Sequence, residues 1–287
     1  MNERELRRTL SDLPLGGVRY YEQTGSTNDV ALAWASAGAP DLALVIADEQ
    51  TAGRGRLGRK WVTPPGAALA FSLVLRPRPV ERDVIPLYSA LGALAVVSAL
   101  EEKYGSKPEI KWPNDVLVQG RKLCGILAEA VWLGSQAESV ILGIGLNVRA
   151  EAVPAADSLD FPATSLETVT GLSVDRLSLL HDILAALIAW RPRLGSGEFI
   201  RAWEARLAYR GEQVQVWSEA FVGAEGQGQR MPSRTGVPPL FAARTVLRSI
   251  QVGQVEGLDR DGSLQLRSPQ GEIFSVRFGE VHLRPVV

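Results

Sequence analysis

Residues 42–48 and 68–75 are short, nearly unbroken apolar runs, and between them lies Gln50-Thr51-Ala52-Gly53-Arg54-Gly55-Arg56-Leu57-Gly58-Arg59-Lys60-Trp61. A short apolar run without alternation reads as a strand buried in a sheet. The loop that follows the first strand carries three glycines and four cations. Glycines let a backbone wrap closely round a ligand with its N–H groups turned inward, and guanidinium groups supply the fixed charge that a carboxylate or phosphate requires. This chemistry describes an anion clamp, with Gln50 as polar anchor and Trp61 as aromatic lid for an organic ligand. Taken alone, a solvated basic loop fits equally well.

The remaining pattern sets the fold around that loop. Residues 109–111, 116–119, 122–131 and 139–147 read as strands, and 86–104 has helical periodicity. The expectation is a sheet-dominated α+β core with its helices gathered on one side. Leu6, Leu10 and Leu13 suggest a short helix in a lead-in over 1–17, ahead of a strand at 18–22. Gly25-Ser26-Thr27-Asn28-Asp29 opens a helix to about residue 37, with Ser26, Thr27 or Asn28 as N-cap and Asp29 in the first turn. Helices are expected at 159–170, 174–190 and 198–209. After Gly211 the texture changes to short β stretches at 213–217, 244–258, 263–267 and 273–277, with a turn at Asp261-Gly262. These predict a small β-barrel domain over 211–287, carrying a Gly- and Pro-rich insertion at about 219–245.

Charge and cysteine content narrow the function classes. Lys and Arg total 31 against 32 for Asp and Glu, so no global positive field draws the chain onto nucleic acid or anionic membrane, and any anion site must be local. A single cysteine, Cys124, leaves no internal disulfide, which fits a reducing compartment, with the cytoplasm as the expectation. The charged start lacks a signal-peptide core, and no stretch is read as approaching the roughly 20 apolar residues of a membrane span. His181 and His282 fall outside every motif.

Two further constellations carry chemistry. Lys111-Trp112-Pro113-Asn114-Asp115 is followed seven residues later by Lys122-Leu123-Cys124-Gly125-Ile126-Leu127. Pro113 should end a strand and present Asn114 and Asp115. Two lysines and a carboxylate on one cleft would balance a triphosphate and place a magnesium ion or an incoming amine, although singly each residue has a plain reading as turn or strand end. Gly143-Ile144-Gly145-Leu146-Asn147-Val148 is a glycine-spaced strand whose terminal amide can serve both edges of a nucleotide. It lacks the third glycine and helix of a dinucleotide fingerprint, and glycines in a strand also serve simply to admit a neighbouring element.

Ser26-Thr27-Asn28, the block from Gly53 to Trp61, Lys111 to Asp115, Lys122 to Leu127 and Gly143 to Val148 resemble, in order, the motif series of biotin protein ligases. The resemblance covers about residues 18 to 210 and implies a mixed β-sheet backed by helices, a class II synthetase-like biotin/lipoate ligase core, there as catalytic domain, followed by a small SH3-like barrel. It implies that Ser26, Thr27, Asn28, Gln50, Arg54, Gly55, Arg56, Lys122 and Gly125 contact biotin. By the same likeness Arg56, Arg59, Trp61, Lys111, Asn114 and Asn147 serve ATP or the adenylate, and Lys122, Arg56, Lys111 and Asp115 act in catalysis. Asp115 would sit near Mg2+ or the acceptor lysine. The implied reaction converts biotin and ATP to biotinyl-5'-AMP and transfers biotin to a lysine of a biotin carboxyl carrier protein. A homodimer is possible, and neither DNA nor membrane is expected as a partner. A lipoate or octanoate ligase of related fold is the nearest alternative, and a biotin-responsive transcriptional regulator is the rival from another class.

Overall fold

The computed structural model describes residues 1–222, 245–277 and 281–285. Most of the insertion expected at about 219–245 lies outside the described residues. Strands β1 (Gly17–Thr24), β2 (Ala43–Gln50), β3 (Ala68–Leu75), β4 (Glu109–Lys111), β5 (Asp115–Val118), β6 (Arg121–Leu133) and β7 (Gln136–Asn147) form a seven-stranded sheet in the order β1-β2-β3-β7-β6-β5-β4. β1 and β2 pair in parallel, because the helix α2 (Thr27–Ser36) carries the chain back between them; the other neighbours are antiparallel. The sheet is therefore mixed, as the family resemblance implied.

Its two faces are covered differently. Leu44, Ile46, Leu73, Leu75 and Leu142 point into the main core, with α3 (Tyr88–Tyr104) and α5 (Arg176–Trp190) above them. The alternate residues Ala43, Val45, Val74 and Ile141 pack on the opposite face against Ala31 and Ala35 of α2. The helices are thus not all gathered on one side. Burial from both sides is the reason β2 and β3 read as continuous apolar runs. α3 is apolar nearly all round because it lies between the sheet and α5, and each fully buried Leu or Val there contributes on the order of 1.5–3 kcal/mol. Gly105, in the left-handed conformation at φ 58°, ends it. The segment Pro79–Tyr104 does reach the length and hydropathy of a membrane span, contrary to the sequence reading. It breaks at Val84, which has non-helical dihedrals, and 67% of its apolar window is buried within the protein.

Several boundaries also move. The lead-in helix α1 (Glu3–Thr9) forms, with Leu6 and Leu10 buried. Only α4 (Leu166–Thr170) forms in the 159–170 stretch, because Pro162 has no N–H to donate and residues 162–164 instead run beside Lys122. Lys122 N–H donates to the Pro162 carbonyl at 2.8 Å and Thr164 N–H to that of Lys122 at 2.9 Å. α6 (Gly197–Glu204) stops five residues short of Tyr209.

The C-terminal strands β8 (Gln213–Val222), β9 (Thr245–Leu258), β10 (Leu264–Arg267), β11 (Ile273–Val276) and β12 (Val281–Pro285) form an antiparallel five-stranded sheet in the order β11-β10-β9-β8-β12. This arrangement is compatible with an SH3-like domain. β12 was not expected from the sequence. The Asp261-Gly262 turn is present, with the Asp261 carboxylate accepting from Ser263 N–H at 2.9 Å. Trp112 Nε1 donates to the Gly262 carbonyl at 3.0 Å, so this turn rests on the strand end that carries Lys111.

Candidate active site

Strand register builds the floor of the site. Ala47, Ala70, Gly145, Gly125, Asp115 and Lys111 are successive cross-strand partners from β2 to β4. Partners in register share a face, so a row of small residues ends in a carboxylate and an ammonium. No side chain of the strip itself fills its middle. A Cβ at Gly143 would collide with the Asn28 amide and one at Gly145 with the Trp61 indole, while one at Gly125 would touch both Trp61 and Lys122. The glycine-spaced strand admits a neighbouring element, and that element is the aromatic lid of the Gly/Arg loop. The cleft so formed holds about 500 Å3 and is lined by Gly145, Gly125, Asp115 and Lys111 of the strip, the loop, and Leu283 and Arg284 of β12.

One end of the cleft is neutral and polar. Ser26 precedes α2 as its N-cap residue but makes no side-chain cap bond, and it lines the cleft instead. Thr27 donates its N–H to Gln50 Oε1 at 2.8 Å, and Gln50 Nε2 donates to Thr63 Oγ1 at 3.1 Å, which fixes the amide. Ser72, buried in β3, lies 2.6 Å from Asn28 Oδ1 and 2.8 Å from Thr27 Oγ1. Asn28 Nδ2 donates to Glu129 Oε2 at 2.7 Å. Arg54 ties the loop to this end, donating to both Glu129 oxygens at 2.9 Å and to Asp29 at 2.7 Å. Gly55 follows it and lines the cleft.

The other end is cationic. Lys122 Nζ lies 2.7 Å from Asp115 Oδ1, an ion pair whose alignment is poor for a hydrogen bond, so that oxygen has no aligned donor. Burial opposes ionisation of Asp115, but Lys122 and Lys111 outweigh it and hold its carboxyl below the usual range. Burial lowers Lys111 to about 8, with the neighbouring cations assisting and Asp115 resisting. Its ammonium lies 4.1 Å from the Phe161 ring centre, over the ring face. Asn114 donates to the Ile126 carbonyl at 2.8 Å and accepts from Arg56 Nη1 at 2.9 Å, so it braces that guanidinium between the two ends. Arg59 and Asn147 also line the cleft, the latter donating to the Thr164 carbonyl at 3.1 Å. Trp61 Nε1 is buried with no hydrogen-bond partner, an orphan donor of the kind a ligand satisfies. Cys124 is fully buried and burial pushes its thiol pKa up, which leaves no thiolate nucleophile here.

Every site residue named from the sequence thus borders one cleft. Sequence reasoning missed Ser72, Thr63, Glu129, Phe161 and Arg284. A lone serine in the run AlaLeuAlaPheSerLeuValLeu and a lone glutamate in the half-buried stretch after Leu127 were the available signals.

The biotin/lipoate A/B protein ligase family model matches residues 20–147. The bifunctional ligase/repressor of Bacillus subtilis is 33% identical over 273 residues, covering 94% of this chain and 76% of that protein. The chain belongs to this family. The biotin–[acetyl-CoA-carboxylase] ligase of Paracoccus denitrificans is 36% identical, covering 87% of this chain and 93% of the relative. Among solved structures, the biotin protein ligase of Aquifex aeolicus in complex with biotin and ATP superposes with a TM-score of 0.73 at 27% identity, covering 94% of this chain and 99% of that one. Family membership accounts for the mixed sheet, and the small second sheet is compatible with it.

Proposed function

We propose that the chain joins biotin to ATP as biotinyl-5'-AMP and passes the biotinyl group to a lysine of a biotin carboxyl carrier domain. The observation that carries this reading is the division of one cleft into a neutral hydrogen-bonding end, an apolar middle bounded by the glycine strip and the Trp61 indole, and a cationic end. A cyclic urea, an aliphatic chain and a phosphate suit those three parts in that order. Ser26, Thr27, Asn28, Gln50 and the Arg54-Gly55 backbone would hold the urea, and Gly125 the chain. Arg56, Arg59, Lys111 and Lys122 would meet the carboxylate and phosphates, with Trp61, Asn114 and Asn147 beside the adenylate.

The physical task is to bring two anions together. A carboxylate oxygen of biotin attacks the α-phosphorus, the bond to the bridging oxygen breaks, and pyrophosphate leaves. The acceptor's neutral amine then attacks the acyl carbon, AMP leaves and the amine's proton is released. Cations fixed before reaction stabilise charge in the transition state without reorganising, which is the main source of rate in such a site. Divalent magnesium screens the phosphates when bound. Among the described residues no three His, Cys, Asp or Glu side chains gather to hold a metal, so phosphate oxygens would supply most of its ligands, with Asp115 as the proposed protein ligand. Asp115 also holds Lys122 in place while the anions are away.

The division into a catalytic unit over 18–210 and a smaller one over 211–287 is supported by the change of sheet between Tyr209 and Gln213. A cytoplasmic setting, with neither DNA nor membrane as partner, is supported by the net charge of -1 and the single buried cysteine; a homodimer belongs to the same reading. The test is to incubate the purified chain with ATP, magnesium and either biotin or lipoate and to identify the acyl-AMP by mass. Biotinyl-AMP as the predominant product supports the proposal; lipoyl-AMP or no adduct overturns it.

A further inference from the structure

Helix α5 is fastened to the β2–β3 pair at both ends, and in the same manner. The ladder between these strands runs from Ala43 opposite Val74 to Ala47 opposite Ala70 and goes no further. Beyond its far end Arg191, the C-cap residue of α5, donates to the Asp41 carboxylate at 2.7 and 2.9 Å and to the Arg76 carbonyl at 2.7 Å. Beyond the end nearer the cleft Arg176, the first residue of α5, donates to Asp48 Oδ1 at 2.7 Å and to the Ala68 carbonyl at 3.1 Å. Each guanidinium joins a carboxylate on the β2 side to a carbonyl on the β3 side, just past the point where backbone pairing stops. The lengths match as well. The fifteen steps from Arg176 to Arg191 rise about 22 Å along a helix, and the seven from Asp41 to Asp48 span about 23 Å along a strand.

Only one of the two ties stands beside the site. At the Arg176 end the chain leaves the sheet: β2 runs through Asp48 to Gln50, the Gly/Arg loop and its return occupy residues 51–67, and β3 begins at Ala68. One guanidinium thus holds both feet of the loop that brings Arg54, Arg56, Arg59 and Trp61 to the cleft. The side chains of this tie are only 11% and 20% exposed, so water competes weakly for it. Farther along, the loop is held by Gln50 on Thr63 and by Arg54 on Glu129, bonds whose alignment depends on where the feet stand. The geometry points to Arg176 as a positioning residue that fixes the separation of the loop's feet, and so sets how long the closed loop retains the acyl-adenylate. Arg176 does not itself border the cleft. This inference rests on the biotin reading given above.

The experiment forms labelled biotinyl-AMP on the protein from biotin, ATP and magnesium, and follows its release after a chase with unlabelled biotin and ATP. Wild type is compared with Arg176→Met and Asp41→Ala. Methionine keeps an apolar stem against the core and removes both donors. Asp41→Ala cuts the corresponding tie at the far end, where Arg191 still has Glu81 at 3.1 Å as its partner. Arg176→Met should release the adenylate at least about tenfold faster and raise KM for biotin by a similar factor, the scale of one lost charged hydrogen bond. Its kcat for pyrophosphate release should stay within about threefold of wild type, because the cations that meet the phosphates are untouched. Asp41→Ala should unfold at a lower temperature than wild type, yet release the adenylate within about twofold of the wild-type rate, since its tie lies at the end away from the loop.

Should Arg176→Met be recovered unfolded, Arg176→Lys decides. Lysine keeps the charge, but its flexible ammonium does not hold two partners in one fixed geometry, so release should still quicken by at least about threefold. Release as slow as wild type in Arg176→Met, or in Arg176→Lys where the first variant does not fold, would overturn the inference. Equal acceleration in Asp41→Ala would overturn it too, by making the effect one of general stability. Failure of the biotin reading is distinguishable, since wild type would then form no biotinyl-AMP at all.

Discussion

Lys111 offers a direct trade between stability and binding, and Lys111→Met measures it. Burial brings its ammonium from 10.5 to about 8 in the folded chain. At about 1.4 kcal/mol per tenfold change in proton affinity, that separation corresponds to roughly 3 kcal/mol against folding at neutral pH. Partial solvent screening reduces it to about 2 kcal/mol. Methionine removes this penalty, keeps contact with Phe161, and leaves Asp115 its nearer partner Lys122 at 2.7 Å. The attraction between this ammonium and Asp115 is already part of that figure. The net expectation is a variant stabler by about 2 kcal/mol at pH 7, a rise in Tm of about 4–8 °C.

The pH dependence has a definite sign. Below pH 8 the lysine is charged in both folded and unfolded chains and its burial penalty is fully present; between about 8 and 10.5 the folded form sheds its proton first, so wild type gains on the variant. Thermal unfolding at pH 7 and pH 10, with pyrophosphate release alongside, is the assay. Activity should fall at least about 100-fold. A variant less stable than wild type at pH 7, or an advantage that widens toward pH 10, would refute the reasoning.

Other perturbations separate the parts of the cleft. Lys122→Ala strands the buried Asp115 carboxylate, so adenylate formation should fall by at least about 100-fold and stability by about 1–3 kcal/mol as well; unchanged pyrophosphate release would remove Lys122 from the mechanism. Arg56→Gly removes the guanidinium braced by Asn114 and should speed release of the adenylate and increase labelling of unrelated lysines, measured by retention through a desalting column; release as slow as wild type contradicts this. Gly143→Ala drives a methyl into the Asn28 amide and should raise KM for biotin by about 30-fold or more while the strand still forms, an expectation checked by binding and circular dichroism together. The KM for ATP should rise between pH 7 and pH 9 as free Lys111 loses its proton near pH 8, and a flat profile would contradict that charge assignment.

Much of the site was legible because its residues come in contiguous blocks whose local chemistry has few other uses. The Gly/Arg loop, the Lys111 to Asp115 turn and the Gly143 to Asn147 strand each name themselves, and register then brings them to one face. Ser72, Glu129 and Phe161 were not legible, since each stands alone in its segment and acquires a role only from partners 44, 101 and 50 positions away, at Asn28, Asn28 and Lys111 respectively. The fold shows the same division. Continuous apolar runs identified buried strands, but a run buried on both faces does not say which helix lies on which side, and α2 on the far face was missed for that reason. The helix expected over 159–170 failed where Pro162 gave its carbonyl to the backbone of Lys122, a contact between segments that local periodicity does not encode.

The most direct measurement is a crystal structure of the protein with a non-hydrolysable biotinyl-AMP analogue. The account places the urea ring against Thr27 and Gln50, the chain beside Gly125 and the Trp61 indole, and the phosphate oxygens within hydrogen-bonding reach of Arg56, Lys111 or Lys122. An analogue bound with its phosphate away from all three cations, or with its urea outside the Thr27 pocket, would contradict it.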